Sequence, residues 1–184
     1  LGLGVLFSLT GEMKKRLDSI IDNHKEWEEV QNWPSDSGID RQYILLHSLS
    51  HVLIKEFAIQ SGYEEASISE RIYSSESMCG LLFYTTSSGE GSLGGLVRQA
   101  EETNLLNILK KAFEKAKTCS RDPICILDDP KSMKEKKLPL QLRQNGSACY
   151  ACMMIPETSC ENFNKMMDRR ILVDKDYGIN KVFL

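Results

Sequence analysis

The sequence predicts a mixed α/β fold, a small β-sheet with packed helices into which a cysteine knuckle is set. Three observations carry that expectation. Apolar residues recur at helical spacing in three long stretches, one continuous apolar run has strand character, and five of the six cysteines crowd between residues 119 and 160. At 184 residues and 41% hydrophobic content the chain can bury one substantial core but hardly two, so residues 1–184 are expected to form a single domain. The chain starts at Leu1 rather than Met, and is expected to be a fragment of a longer protein.

Leu3 to Leu9 is a short apolar run, expected as a buried strand that ends at the Thr10-Gly11 turn; it has no basic segment of the kind that opens a signal peptide. Met13, Leu17, Ile20, Ile21, His24 and Trp27 follow helical spacing, with Lys14, Lys15, Asp22 and Glu26 on the wet face. Asn32 to Gly38, with Pro34 inside it, reads as a loop. From Asp40 to Gln60 a helix is apolar nearly all round, so it is expected at the centre, stopped by Ser61-Gly62.

Ser67 to Tyr73 is expected to hold a short helix. Gly80 to Thr86 is the best strand in the chain, and its unbroken apolar and β-branched run suits an interior position covered on both faces, with Cys79 a core thiol at its head. Ser87 to Gly95 is a Gly- and Ser-rich loop. A helix from Thr103 to Thr118 then stacks Leu105, Leu109, Ala112, Phe113 and Ala116 in one stripe and delivers Cys119. Residues 126–147 read as a polar insert that needs no packed core. Ser159 is expected to cap a last helix carrying Phe163, Met166, Met167 and Ile171, and Lys181 to Leu184 to form a final edge strand.

Net charge is -3, but residues 110–143 hold ten Lys or Arg against five acids, leaving +5 there and -8 elsewhere. The cysteine region is thus the basic side of an acidic molecule. No run approaches the ~18 apolar residues of a membrane span. A chain of this size needs no disulfide staples, so reduced thiols in a cytoplasmic setting are the better reading of the six cysteines.

Cys149-Tyr-Ala-Cys152 places two thiols in one tight turn, and Cys119, Cys125 and Cys160 flank it, which is the ligand supply tetrahedral zinc requires. Five thiols for four positions leave one spare. The favoured set is Cys125, Cys149, Cys152 and Cys160, because Cys119 directly follows a packed helix; the alternative takes Cys119 with Cys125 and leaves Cys160 to the last helix. Either set is all-thiolate and closed, with no position for an activated water, so the zinc is structural.

Other motifs are incomplete. His47 and His51 stand four apart on a helix as in H-E-x-x-H metalloproteases, but Ser48 occupies the place of the general base. His24-Lys25-Glu26 with Cys149-x-x-Cys152 matches part of the zinc deaminase signature, with Ala148 in place of its Pro. Gly89-Glu90-Gly91-Ser92-Leu93-Gly94 fits G-x-G-x-x-G, but Glu90 would repel a pyrophosphate and the turn opens late after the strand. No G-x-x-x-x-G-K-[ST] occurs, so the chain carries no P-loop motor. Lys131, Lys134, Lys136, Lys137 and Arg143 are a solvated loop or, beside a zinc knuckle, a set of phosphate contacts without aromatic stacking partners.

Taken together, the blocks His47-Ser-Leu-Ser-His-Val-Leu-Ile-Lys55, Gly80-Leu-Leu-Phe-Tyr-Thr-Thr with Gly91-Ser-Leu-Gly-Gly-Leu96, Cys119-Ser-Arg-Asp-Pro-Ile-Cys125, Asn145-Gly-Ser-Ala-Cys-Tyr-Ala-Cys152, Glu157-Thr-Ser-Cys-Glu161 and Asp168-Arg169 resemble the helicase-associated, cysteine-bearing C-terminal domain family. It most resembles the form in DrmB-like proteins of DISARM anti-phage systems, related to the C-terminal domain of the MrfA repair helicase. The resemblance implies a four-cysteine zinc site with Cys149, Cys152 and Cys160 in the matching positions and Cys125 or Cys119 upstream. It also implies an accessory role beside a superfamily 2 DNA helicase, in bacterial or archaeal genome defence or DNA repair. Ser147-Ala-Cys149 and Cys160-Glu-Asn162 depart from the MrfA-type Gly-Cys-Pro-Ser-Cys and Cys-Gly-Asn and match the DrmB branch better.

The expectation is a non-catalytic zinc-binding domain that assists a helicase partner and helps hold DNA. A zinc- or nucleotide-dependent hydrolase using His47, His51 and the Gly89 loop, and a purely structural protein-interaction module, are the alternatives.

Overall fold

The computed structural model describes residues 9–32, 38–75, 77–85 and 95–179. Most of the expected strand at Leu3 to Leu9 and of the Asn32 to Gly38 loop, the Gly89 turn and the expected strand at Lys181 to Leu184 lie outside the described residues.

Thr10 opens helix α1 (Gly11–Gln31) by accepting the Met13 amide at 3.3 Å, and Asn32 closes it in the left-handed region at φ 49. Met13, Leu17 and Ile20 form its buried stripe, as the spacing requires. Asp40 caps α2 (Arg41–Ser61) by accepting the Tyr43 amide at 2.7 Å, and Gly62, at φ 74, ends it where a side chain would be strained. Ile44, Leu45, Leu46, Val52, Leu53, Ile54 and Phe57 are all buried, so α2 is the central helix expected from its all-round apolar surface. It packs against α1, the sheet, α4 (Glu102–Ala116) and a last short helix.

The stretch expected as a short helix at Ser67 to Tyr73 is instead strand β1 (Ile68–Ser74), antiparallel to β2 (Cys79–Thr85) with Ile68 opposite Thr85 and Ser74 opposite Cys79. Ile68, Glu70 and Ile72 face inward while Arg71 and Tyr73 face out. The carboxylate at the middle inward position hides the two-residue period. Strand β2 is not an interior strand: among the described residues the sheet has two strands, Leu82 and Tyr84 face solvent, and Phe83 packs on Phe57 with ring centroids 5.0 Å apart. Cys79, at the turn end of the hairpin, is exposed rather than core.

Short helix α3 (Gly95–Arg98) leads into α4, whose Ile108, Ala112, Phe113 and Ala116 enter the core. Residues 126–147 pack after all. They contain the end of α5 (Ile124–Leu127), α6 (Pro130–Glu135) and a 3-10 turn at Leu140–Arg143, and the last two sit on α1. What holds them is polar: Asn23 Nδ2 donates to the carbonyls of Pro130 at 3.1 Å and Arg143 at 3.2 Å, and buried Gln144 meets His24 Nδ1 at 2.7 Å. A polar composition therefore concealed a segment bound by buried hydrogen bonds.

Nor does Ser159 cap a final helix; its hydroxyl donates to the Glu65 carbonyl at 2.9 Å. Phe163, Asn164 and Met166 take left-handed conformations, and only α7 (Arg170–Val173) is helical. Residues 144–147 and 166–169 instead run side by side, joined by Met166 N to Gln144 O at 3.0 Å, Gly146 N to Met167 O at 2.9 Å and Arg169 N to Ser147 O at 3.0 Å. Met166, Met167 and Ile171 are still buried, but Phe163 is exposed. Among the described residues no helix is long and apolar enough to cross a membrane.

Candidate metal centre

Four thiols converge where the end of α4, α5 and the Cys149–Cys152 turn meet. Cys119 Sγ lies 3.5 Å from Cys149 Sγ, Cys149 Sγ 3.6 Å from Cys152 Sγ, and Cys152 Sγ 3.7 Å from Cys125 Sγ. All four fall within 4.8 Å of one another. Zinc–thiolate bonds of about 2.3 Å in a tetrahedron put sulfurs about 3.8 Å apart, so the cluster has the dimensions of the ion's first coordination shell. The thiols are free, as a metal site requires.

Local geometry explains the convergence. The Cys149 carbonyl accepts from the amides of Cys152 at 3.1 Å and Met153 at 2.9 Å, a tight turn that points both thiols one way. On the opposite arm, Asp122 accepts the amides of Cys119 at 2.8 Å and Ile126 at 3.1 Å, which folds the five residues between Cys119 and Cys125 into a bracket. Ser147 Oγ lies against the Ile126 carbonyl at 3.1 Å and the Asp128 carbonyl at 3.2 Å and clamps the two arms together.

Burial pushes the Cys149 thiol up, but the Ala151 amide and the neighbouring Cys119 and Cys152 outweigh it and hold it down to about 7. Burial raises Cys125, and pushes Cys152 up to about 12. Cys149 thus ionises more easily than a free thiol, whereas burial and crowding oppose ionisation of Cys125 and Cys152. A divalent ion relieves that repulsion, and binding releases the remaining protons.

Of the five candidate thiols the structure joins Cys119 to Cys125, Cys149 and Cys152, and does not bring Cys160 to them. The geometry thus groups Cys119, the alternative fourth ligand, rather than the favoured Cys160 with the other three. Cys160 leaves because the turn after Ile155 folds over α2, where its Sγ is 3.1 Å from His47 Nε2. Burial raises this thiol too, but His47 and His51 lower it to about 7. With His47, His51 and Glu70 it makes a second close group, and Glu70 has no motif signal that sequence reasoning could have used. His24 is engaged by Gln144 and by Glu28 at 3.3 Å, and does not approach the thiols.

Among the basic residues, Arg143 is buried and ion-paired with Glu26 at 3.2 Å, so it braces α1 and does not face solvent. Lys134 reaches the same carboxylate at 3.1 Å, and Lys131 lies 3.9 Å from Glu135. Lys136 and Lys137 are exposed.

A closed four-thiol cluster on a scaffold of helices and one hairpin defines a domain braced by structural zinc. The chain belongs to the MrfA Zn-binding domain family (MZB), matched over residues 49–153, a range that holds all four clustered cysteines and stops short of Cys160. It is 40% identical over 163 residues to the DISARM protein DrmB of Bacillus paralicheniformis (strain ATCC 9945a / NCIMB 11709 / CD-2), a match that covers 88% of this chain and 28% of that protein. The chain thus spans little more than a quarter of the length of that curated relative.

Proposed function

We propose that this chain is a non-catalytic, zinc-braced accessory domain that supports a superfamily 2 DNA helicase, in a DISARM-like defence system or in DNA repair, by binding the helicase and contacting DNA. The observation that carries the reading is the closed donor set: Cys119, Cys125, Cys149 and Cys152 use all four positions of a tetrahedral ion and leave none for a water or substrate. Family membership and the likeness to a DISARM DrmB supply the setting. Reduced thiols favour the cytoplasm of a bacterium or archaeon.

A docking role is favoured by the knuckle's own surface. Ile124 and Leu127, one helical turn apart on α5, and Tyr150 between the two zinc-binding cysteines are all more than 60% exposed, an unusual display for apolar side chains. DNA contact rests on Lys131, Lys134, Lys136 and Lys137, of which Lys136 and Lys137 are the best placed because Lys134 also serves Glu26. The hydrolase alternative is disfavoured because His47 and His51 are fully buried.

A salt titration of duplex and single-stranded DNA binding tests the DNA arm. Each lysine on a phosphate adds about one unit to the slope of log affinity against log salt, so Lys136→Glu with Lys137→Glu is expected to flatten it by about two. An unchanged slope removes these residues from a DNA interface. Copurification of the chain with a superfamily 2 DNA helicase subunit of a DISARM system tests the partner arm, with Ile124→Asp and Leu127→Asp expected to abolish it.

A further inference from the structure

We infer a second metal site in the core between α2 and β1, where His47, His51, Glu70 and Cys160 hold one divalent transition ion through two nitrogens, one oxygen and one sulfur. One donor atom from each of the four lies within 4.8 Å of all the others. His47 Nε2 is 3.1 Å from Cys160 Sγ and 3.2 Å from Glu70 Oε1, and His51 Nε2 is 3.5 Å from the same carboxylate oxygen. The two rings stand edge to face with centroids 4.5 Å apart, as two imidazoles turned toward one point do.

Three of the four side chains carry supports of the kind metal ligands have. His51 Nδ1 lies 2.9 Å from the Met153 carbonyl, so it carries the proton and leaves the Nε2 lone pair aimed into the cluster. That Nε2 is buried and forms no well-made hydrogen bond, with the Glu70 carboxylate 3.5 Å away. A buried nitrogen so poorly satisfied is costly, and a cation within bonding distance satisfies it. Cys160 Sγ accepts the amides of Asn162 at 3.4 Å and Asn164 at 3.2 Å, the same support that the Arg121 amide gives Cys119 Sγ at 3.4 Å in the four-thiol centre. Glu70 is fixed by the Ser50 hydroxyl on one oxygen and by the Glu161 amide, at 3.3 Å, on the other.

Charge and donor type select the ion. Two neutral imidazoles, a carboxylate and a thiolate sum to two negative charges, which one divalent ion neutralises in a site with no solvent to do so. Imidazole with thiolate favours zinc, with cobalt(II) as a faithful substitute, over magnesium or calcium. His47 and His51 are 0%, Glu70 2% and Cys160 7% exposed, so the ion is enclosed and structural. It ties α2, β1 and the turn at 156–164 into one unit, whereas the four-thiol ion ties α4, α5 and the 149–152 turn.

The test is a metal count on the whole chain. Elemental analysis after reconstitution with zinc is expected to give two equivalents, falling to one in Cys160→Ser and one in His51→Gln, with Cys149→Ser removing the other. Titration of the metal-free wild type with cobalt(II) needs no variant. Two successive tetrahedral spectra, one with four-thiolate charge-transfer intensity and one with a single thiolate's, are expected. A wild type that saturates at one equivalent, kept by Cys160→Ser and lost in Cys149→Ser, overturns the second site and leaves the four-thiol centre intact. A wild type that keeps one equivalent lost only in Cys160→Ser would instead overturn the four-thiol assignment.

Discussion

Arg169, fully buried, donates from Nη2 to Asp122 Oδ1 at 2.5 Å and from Nη1 to the Ala116 carbonyl at 3.1 Å. One guanidinium thereby fastens the chain after the cysteine turn to both the end of α4 and the bracket that presents Cys119 and Cys125. Asp122 in turn holds the amides of Cys119 and Ile126, so the ion pair is an outer support of the zinc site. Arg169→Ala removes a fully buried guanidinium and its two hydrogen bonds, one of them to the half-buried Asp122, and is expected to cost about 2–4 kcal/mol in denaturant unfolding. It should also weaken zinc roughly 10- to 100-fold in chelator competition.

Cys119 and Cys160 are separated by a zinc-retention assay. Cys119→Ser is expected to surrender its four-thiol zinc to a chelator concentration that wild type withstands, and to melt earlier. Cys160→Ser is expected to keep that zinc. The scale is large, since structural zinc contributes on the order of 10–16 kcal/mol in small zinc-dependent folds.

Glu26 bridges α1 to Lys134 and Arg143, and the hydrogen bond from Lys134, then those from Arg143, hold its carboxyl below the usual carboxylate range. A depressed folded value means that the contribution is complete above the unfolded carboxylate's range and is lost as pH falls through the folded value. Glu26→Gln is expected to lower stability at neutral pH and to flatten the acid side of the stability profile, read by urea unfolding between neutral pH and the onset of acid unfolding. An acid limb as steep as wild type would remove Glu26 from this role.

Gly146 passes so close to Asp168 that a Cβ would overlap its carboxylate. That carboxylate also receives the Arg16 guanidinium, the Ser147 amide at 3.1 Å and the Arg170 amide at 2.9 Å, so it cannot step aside cheaply. Gly146→Ala is expected to cost about 1–3 kcal/mol. Thermal unfolding checks it, with Gly11→Ala as the control because nothing lies within 4 Å of its added Cβ.

Much of the scaffold was legible because helices declare themselves locally. The spacing of Met13, Leu17 and Ile20, the nearly all-apolar run through α2, and the stripe through Ala112 and Phe113 each encode a buried face within a few turns. The Cys149–Cys152 pair was legible for the same reason, since thiol type and turn spacing are properties of a short segment.

What only the tertiary structure decided depends on residues far apart in the chain. Glu70 reads as a solvent-facing charge until β1 folds it under α2, and its carboxylate masked the strand. Arg143 reads as a free cation until α1 places Glu26 against it, 117 residues away in sequence. The choice of Cys119 over Cys160 turns on where the end of α4 and the turn after Ile155 come to rest, a long-range arrangement set by buried pairs such as Arg16 with Asp168 and Arg169 with Asp122. Periodicity records which face of a segment is dry. It carries no record of which distant polar side chain will meet which, because that pairing is settled by packing geometry once the dry faces have come together.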